Sequence, residues 1–138
     1  MVDERRRCLR VVPGDYPSVR VALGGRYSLK TTFELRPALP HAVEVKLEAR
    51  TYQQEAIEAW QGAVHRGVVV LPTGAGKTLV ALLAMATLGT TTLVCVPTLD
   101  LLSQWRVSIL ANTNLTEEEV GVWGGGFRVF RTVTLVTY

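Results

Sequence analysis

A short segment rich in glycine carries the strongest chemical signal in this sequence. Residues 71 to 78 read Leu-Pro-Thr-Gly-Ala-Gly-Lys-Thr, so that Gly74, Gly76, Lys77 and Thr78 have the spacing of a phosphate-binding loop. Glycine permits backbone angles that point successive N–H groups toward one anion. A lysine at this position reaches the β- and γ-phosphates, and the threonine hydroxyl can ligate Mg²⁺. These residue types predict a cradle for nucleotide phosphates.

The loop departs from the full phosphate-loop pattern at one position. That pattern has a glycine five positions before Gly76, where this sequence has Leu71. The context is nevertheless the required one, because an apolar run precedes the loop and a helical pattern follows it. The first helical turn adds unpaired N–H donors and a partial positive charge at the phosphates.

The elements predicted around this loop are those of an α/β protein. Apolar residues recur at helical spacing in three segments and form short continuous runs in four others. Strand and helix alternate, which builds a parallel sheet through right-handed crossovers. Helices are expected over residues 52–63, 77–88 and 99–110, and strands over 67–71, 91–96, 120–123 and 132–136.

The first 48 residues have a different pattern and predict a small β-rich element. Residues 19–23 favour a strand, and Gly24-Gly25 could close a hairpin onto residues 27–35. Residues 43–47 alternate between apolar and charged side chains, as in a half-buried strand. At residue 51 the pattern becomes helical, with Thr51 and Gln54 placed as in a capping box. The expected organisation is therefore an N-terminal element at 1–48 and an α/β domain at 49–138.

Composition excludes several classes of protein. The chain has 138 residues, 48% hydrophobic and 20% charged, which argues for a packed core and against disorder. Two cysteines are too few for a disulfide scaffold or a cysteine-rich zinc site, and Cys95 is expected to be buried. Residues 1–50 hold ten basic and six acidic side chains. The run Arg5-Arg6-Arg7 fits either a solvated terminus or a phosphate-seeking arm.

One uncharged stretch is long enough to resemble a membrane span. The 22 residues from Thr78 to Leu99 carry no charge, but Gly89 and neighbouring threonines interrupt them. We interpret them as a helix, a turn and a strand, and expect no membrane association. Since no signal peptide is evident either, a reducing cytoplasm is the expected location.

Together these motifs resemble the first RecA-like domain of a superfamily 2 helicase or translocase. They are most similar to the branch that contains the XPB-like helicases and the type III restriction subunits. In that branch the leading glycine of the phosphate loop is commonly replaced, as at Leu71 here. The resemblance covers residues 49–138 and implies an ATP-binding, DNA-dependent motor domain with a partial RecA-like sheet. The branch often has an accessory DNA-binding domain where residues 1–48 lie.

The resemblance implies a set of nucleotide-binding residues. Arg50-Thr51-Tyr52-Gln53 resembles the family's Arg-x-Tyr-Gln element, in which the glutamine reads the adenine edge and its neighbours flank the base. A primary amide suits this role because it both donates and accepts hydrogen bonds. The alternative is that Tyr52 and Gln53 merely open a helix. The implied cofactors are ATP and Mg²⁺, with Thr78 as a metal ligand, Lys77 and Thr78 as catalytic residues, and contacts from Arg50, Tyr52, Gln53, Pro72, Thr73, Gly74, Ala75, Gly76, Lys77 and Thr78.

Three further segments resemble the family's nucleic-acid contacts. Residues 96–105 resemble motif Ia, residues 121–126 the glycine-rich segment after it, and residues 136–138 the Thr-Tyr motif at the end of the next strand. A hydroxyl at a helix N-terminus is a suitable phosphate donor. The latter two matches can also be read as ordinary turns and strand ends. The implied backbone contacts to DNA are Pro97, Thr98, Gly124, Gly125 and Thr137.

The sequence stops before two parts that the family uses. Its Asp-Glu-x-His motif should follow a later strand, and the carboxylates after Lys77 are Asp100 and residues 117–119. None of these follows an apolar strand. The second RecA-like domain, which supplies the arginine finger, has no counterpart. We therefore expect this chain to bind Mg-ATP without hydrolysing it, and the missing half to belong to the same parent chain or a separate polypeptide.

Two other functions stay open at this stage. A different phosphate-loop phosphotransferase would leave residues 50–53 and the motif Ia resemblance unexplained, and would need its own base and lid. A non-catalytic nucleotide-binding or interaction module with a decayed loop is disfavoured by the intact Lys77 and Thr78. The expectation that the nucleic acid is DNA rather than RNA comes from the branch resemblance.

Overall fold

The computed structural model describes residues 2–3, 8–9, 16–28 and 37–138. The chain divides into two compact units, Met1–Leu35 and Arg36–Tyr138. Residues 36–48, which the sequence pattern grouped with the N-terminal element, lie in the second unit.

The first unit contains a helix where the sequence predicted a strand. Strands β1 (Val2–Asp3) and β2 (Cys8–Leu9) pair antiparallel, and helix α1 spans Tyr16–Gly24. The strand prediction for 19–23 is therefore wrong. Pro17 lies in the first helical turn, where proline is tolerated, and Val21 is exposed, so its apolar character did not report burial. Most of the hairpin predicted onto residues 27–35 lies outside the described residues.

A four-stranded sheet forms the centre of the second unit. Its strands are β3 (Thr92–Val96), β4 (Val120–Gly124), β5 (Phe127–Val129) and β6 (Val133–Thr137). They lie in the order β3-β6-β4-β5; β6 pairs parallel with both β3 and β4, while β5 pairs antiparallel with β4. The predicted mixed α/β class with a mostly parallel sheet is confirmed, and β5 is an addition that the sequence did not indicate.

Three helices flank this sheet and begin where local signals place them. Helix α2 (Thr51–Gly62) has Arg50 as its N-cap, one residue earlier than expected, and Gln53 rather than Gln54 closes the capping interaction. Helix α3 (Lys77–Leu88) lies between two left-handed glycines. In α4 (Leu99–Asn112), the Thr98 hydroxyl accepts a hydrogen bond from the Leu101 N–H at 3.2 Å.

The core lies between the sheet and helices α3 and α4. Leu82, Ile109, Val133 and Leu135 are fully buried there. Residues 37–46 cross this unit as an extended strap that buries Leu39 and Val43. The strap makes isolated bridges to Thr90 and Thr113 rather than the continuous strand predicted at 43–47. That prediction is wrong because alternation of apolar and charged residues reports only that one face of the segment is buried. A segment that packs on the end of an α-helix also has one buried face.

The apolar run before the phosphate loop is not a buried strand. Residues 67–71 form no strand in the part of the chain that the structure describes, and Val68 and Val70 are 88% and 85% exposed. A cavity of about 350 Å³ lies between α3 and β3, lined by Ala81, Ala84, Leu93 and others. The prediction of a buried strand at 67–71 is therefore wrong, because among the described residues no neighbouring strand pairs with this apolar segment.

The uncharged stretch Thr78–Leu99 is helix α3, a turn and strand β3, as interpreted from the sequence. Among the described residues, no helix combines the length and apolarity that crossing a membrane requires. Cys95 is exposed on β3, so the expectation of a buried thiol is wrong.

Candidate phosphate and nucleic-acid sites

The glycine-rich loop joins residues 67–71 to helix α3 and has the backbone of an anion-binding turn. Gly74 and Gly76 have φ values of +78° and +74°, a region that side chains disfavour. The N-cap of α3 is Gly76, which has no side chain to accept a hydrogen bond from the first turn. The N–H groups of that turn are therefore not capped by a side chain, and they can donate to an anion.

Lys77 and Thr78 follow directly, in the first turn of α3. Lys77 is exposed, and its Nζ donates to the Pro72 carbonyl at 2.9 Å, so the ammonium folds back over the loop. Thr78 is half-buried. This donor set fits a nucleotide phosphate with Mg²⁺, because backbone N–H groups and an ammonium could donate to the anion and a hydroxyl could supply one ligand to the metal.

The start of α2 is fastened to the same loop. Both the Tyr52 hydroxyl and the Gln53 amide donate to the carbonyl oxygen of Ala75, at 3.0 Å and 2.8 Å. The Gln53 oxygen accepts from the Arg50 N–H at 3.0 Å, and the residue is 3% exposed. A β-carbon at Gly76 would lie 2.5 Å from the Gln53 amide nitrogen, so this close approach requires glycine.

This arrangement bears on the adenine role predicted for Gln53. Its amide already bonds the backbone at both ends and is buried, so in this structure it positions the loop and does not present an open edge to a base. Arg50 is exposed, and its guanidinium lies 3.5 Å from the Tyr52 hydroxyl. Sequence reasoning found these residues but did not indicate their hydrogen bonds to Ala75.

The residues predicted to contact nucleic acid lie at one edge of the sheet. Parallel pairing aligns Val96 with Thr137, so the carboxyl ends of β3 and β6 are side by side. A β-carbon at Gly124 would lie 2.4 Å from the Thr137 hydroxyl, and one at Gly125 would lie 3.0 Å from Leu99. The structure therefore groups the five predicted residues: Pro97, Thr98, Gly124, Gly125 and Thr137.

The side chains at this edge are suited to phosphate contacts. Thr98 is exposed, and its oxygen already accepts from Leu101 N–H, which leaves the hydroxyl hydrogen as a donor. Gly125 beside it is exposed, so its backbone groups are accessible as well. Sequence reasoning did not identify the exposed aromatic and arginine side chains of the β4–β5 hairpin beside this edge; the signal was the Phe-Arg-Val-Phe-Arg sequence after the glycines.

A mostly parallel sheet with a phosphate-type loop before a flanking helix defines this unit as part of a RecA-like α/β domain. Residues 46–138 match the model of the family described as type III restriction enzyme, res subunit, and the chain belongs to that family. The resemblance to the XPB-like and type III restriction-subunit branch is thereby confirmed.

Similar proteins carry helicase and translocase names. The chain is 38% identical over 122 residues to "Putative DNA 3'-5' helicase Rad25" of Halobacterium salinarum, covering 88% of this chain and 20% of that protein. It is 42% identical over 96 residues to "DNA 3'-5' translocase XPB2" of Sulfurisphaera tokodaii, covering 70% and 21%. For "DNA 3'-5' helicase XPB" of Mycobacterium tuberculosis the identity is 46% over 92 residues, covering 66% and 16%. The chain thus spans about a fifth of the length of these relatives.

Proposed function

We propose that this chain is the ATP-binding part of an ATP-dependent DNA helicase or translocase. The observation that carries the proposal is the phosphate loop, where two left-handed glycines flank Ala75 and lead into a helix without a side-chain cap. The names of the relatives support the DNA-directed half of the proposal.

The nucleotide would be held by its phosphates. The N–H groups of Gly74 and of residues 76–78, with the Lys77 ammonium, would contact the β- and γ-phosphates after Lys77 exchanges the Pro72 carbonyl for the anion. The Ala75 N–H donates to that carbonyl at 3.2 Å and is not counted among them. Thr78 would ligate Mg²⁺, which neutralises phosphate charge when bound. Arg50 and Tyr52, at the start of α2, are candidates to flank the base. Pro72, Thr73 and Ala75 complete the loop.

Nucleic acid would be contacted by its backbone at the carboxyl edge of the sheet. Thr98 and Thr137 offer hydroxyl groups, and the neighbouring backbone of Pro97, Gly124 and Gly125 would complete the contact with a phosphate–sugar chain. Contacts of this kind position a strand without reading its sequence.

We further propose that the rest of a helicase, on the same parent chain or on a separate polypeptide, completes the site. Support comes from the one-fifth coverage of the relatives and from the sheet itself. Within the described residues, the outer edge of β3 is unpaired, and Val68 and Val70 of the preceding apolar run are exposed. Val69 lines a cavity that shares Ala81 and Ala84 with the cavity against β3. A further strand there would cover this apolar surface.

Binding measurements test the two halves of the proposal separately. Calorimetric titration with Mg-ATP should show weak binding that requires Lys77. Titration of a labelled oligonucleotide at several salt concentrations should give a log–log slope of about −0.7 per phosphate contacted on a single strand. A slope of zero, or binding unaffected by Thr98→Ala together with Thr137→Ala, would contradict the nucleic-acid half.

A further inference from the structure

The outer face of the β4–β5 hairpin carries exposed aromatic rings in contact with an arginine. The Trp123 and Phe130 ring centroids are 4.6 Å apart with a 37° tilt. The Arg128 guanidinium carbon lies 5.9 Å from the centroid of the Trp123 ring. Trp123 is 37% exposed and Phe130 61% exposed. We call Trp123, Arg128 and Phe130 the hairpin cluster.

The register of the hairpin places this cluster away from helix α4. Trp123 is opposite Arg128, whereas the next pair, Val122 and Val129, lines a cavity against α4. Because side chains alternate along a strand, Trp123 and Arg128 point to the other face. That face is accessible, and α4 does not cover it.

The charge of the hairpin selects the kind of partner. Arg128 and Arg131 are both exposed, and the ion pairs between described residues, His41–Glu119 and Arg106–Glu117, involve neither of them. The Arg128 guanidinium lies over the Trp123 ring, and the Arg131 guanidinium donates to the Phe130 carbonyl at 3.0 Å. Two guanidinium groups on one hairpin with two aromatic rings suit a ligand with both anionic and flat aromatic parts. An apolar protein surface would leave the arginines without partners.

The position of the hairpin cluster in the fold also favours a ligand with both anionic and flat aromatic parts. Trp123 directly precedes Gly124, which contacts Thr137 at the carboxyl edge of the sheet. A strand whose phosphates lie on that edge would therefore pass close to Trp123, one residue along β4 from the edge. Bases of an unpaired strand are free to turn toward it, whereas paired bases are not.

We propose that the hairpin cluster stacks a base of single-stranded nucleic acid on the Trp123–Phe130 surface, with Arg128 and Arg131 contacting the adjacent phosphates. This inference rests on the proposed nucleic-acid contact at the neighbouring edge and adds base stacking to it. Stacking on an aromatic surface tolerates any base, because each base has a π-face. The hairpin would thereby favour single strands over duplex without reading sequence.

The test compares two labelled oligomers of equal length, an oligothymidylate and a fully abasic strand, by fluorescence anisotropy with the 138-residue chain. Both carry the same backbone charge, and only one has bases. Trp123→Ala should weaken binding of oligothymidylate roughly 5- to 100-fold while changing abasic binding little. Trp123→Phe should retain most of the affinity because it keeps a ring. Val107→Ala, which removes exposed apolar surface on α4, is the control and should change neither.

Each result bears on one proposal or both. Equal affinity for the two oligomers, or an unchanged affinity in Trp123→Ala, would overturn stacking while leaving the backbone contact intact. Tighter binding of duplex than of single strand would also overturn it. Failure to bind either oligomer at low salt would contradict the proposed nucleic-acid function, and stacking with it. Circular dichroism of each variant shows whether the sheet remains folded.

Discussion

The amide nitrogen of Gln53 donates to the carbonyl oxygen of Ala75 at 2.8 Å, and this bond joins the first turn of α2 to the centre of the phosphate loop. Tyr52 donates to the same oxygen at 3.0 Å. A carbonyl held by two donors fixes the orientation of the Ala75–Gly76 peptide group. The conformation of the loop is thereby tied to the first turn of α2.

Nucleotide-binding measurements on a Gln53 variant can distinguish two roles for this side chain, holding the loop and reading adenine. If the side chain holds the loop, Gln53→Ala should weaken ATP and GTP binding by the same factor, about tenfold for one lost hydrogen bond to a buried partner. If it reads adenine, ATP alone should weaken and the preference over GTP should narrow. Calorimetry with both nucleotides decides, and Gln54→Ala on the exposed face of α2 is the control.

Lys77 gives the second prediction. Lys77→Ala should weaken Mg-ATP binding by at least about tenfold, because a charge-assisted contact contributes roughly 1.5–3 kcal/mol. The fold should persist, since the side chain is exposed and its described bond is to a loop carbonyl. Lys46→Ala removes an exposed ammonium elsewhere in the same unit and should leave affinity unchanged. Equal affinity of the wild type and Lys77→Ala would refute the phosphate role.

The sequence predicted those elements of the fold whose signals come from residues adjacent in the chain, and it failed where an element depends on distant residues. Helices α3 and α4 were predicted to within a few residues because their caps, Gly76 and Thr98, are adjacent in sequence to what they cap. The strand predicted at 67–71 failed because a strand needs a partner that composition cannot supply. The strap at 37–46 was misread for a related reason. Its burial is provided by the end of α4, far along the chain.

In the candidate site, too, features encoded by neighbouring residues were predicted, and features that depend on packing between distant segments were not. Spacing predicted the candidate phosphate loop, and the family resemblance predicted nucleic-acid contacts at residues that lie around the carboxyl ends of β3 and β6, where Val96 pairs with Thr137. The convergence of Tyr52 and Gln53 on one carbonyl could not be predicted, because it depends on how α2 packs against a loop 22 residues later. The hairpin cluster depends in turn on β5, which three exposed residues form.

The strap gives a prediction for pH. His41 Nε2 bonds Glu119 Oε1 at 2.6 Å while its Nδ1 is 3.0 Å from the Ala42 carbonyl. Both partners are acceptors, so the imidazolium satisfies both, and these bonds raise the pKa of His41 above its ordinary 6.5. Hydrogen bonds from Thr116, and then the contact with His41, lower the pKa of Glu119 below 4.5.

The sign of the effect follows from these directions. A raised histidine pKa adds stability that is complete below pH 6.5 and is lost as pH rises through the folded-state pKa. A lowered Glu119 pKa adds stability above pH 4.5 that is lost as pH falls through the folded value. The pair should therefore stabilise the strap most between these limits. Urea denaturation of wild type and His41→Ala should differ most in that window and converge toward pH 9.

His65→Ala is the matched control for the strap, because His65 contacts the Trp60 ring and, among described residues, no carboxylate. It should preserve the wild-type dependence of the urea midpoint on pH. A His41→Ala variant whose stability difference from wild type is constant with pH would show that the ion pair does not anchor the strap.

The remaining prediction is that this chain alone does not turn over ATP. Phosphoryl transfer needs the cradle, a metal, a carboxylate that positions metal and water, and a positive charge at the transition state. Of the four carboxylates that follow Lys77, Glu117 pairs with Arg106 at 3.2 Å, and Glu119 bonds His41 and Thr116. Asp100, in the first turn of α4, and Glu118 have no ion-pair partner among the described residues.

The loss of an arginine finger alone costs on the order of 10³- to 10⁵-fold in rate, and the lack of a positioned carboxylate adds to it. A phosphate-release assay should therefore give background turnover for the wild type and for Lys77→Ala alike, with or without single-stranded DNA. Adding the downstream half of a helicase of this family, fused or as a separate polypeptide, should restore turnover that DNA stimulates. Robust turnover by the chain alone that Lys77→Ala abolishes would contradict this reading. Glu118→Gln and Asp100→Asn would then identify the carboxylate responsible, since neither side chain has a described ion-pair partner.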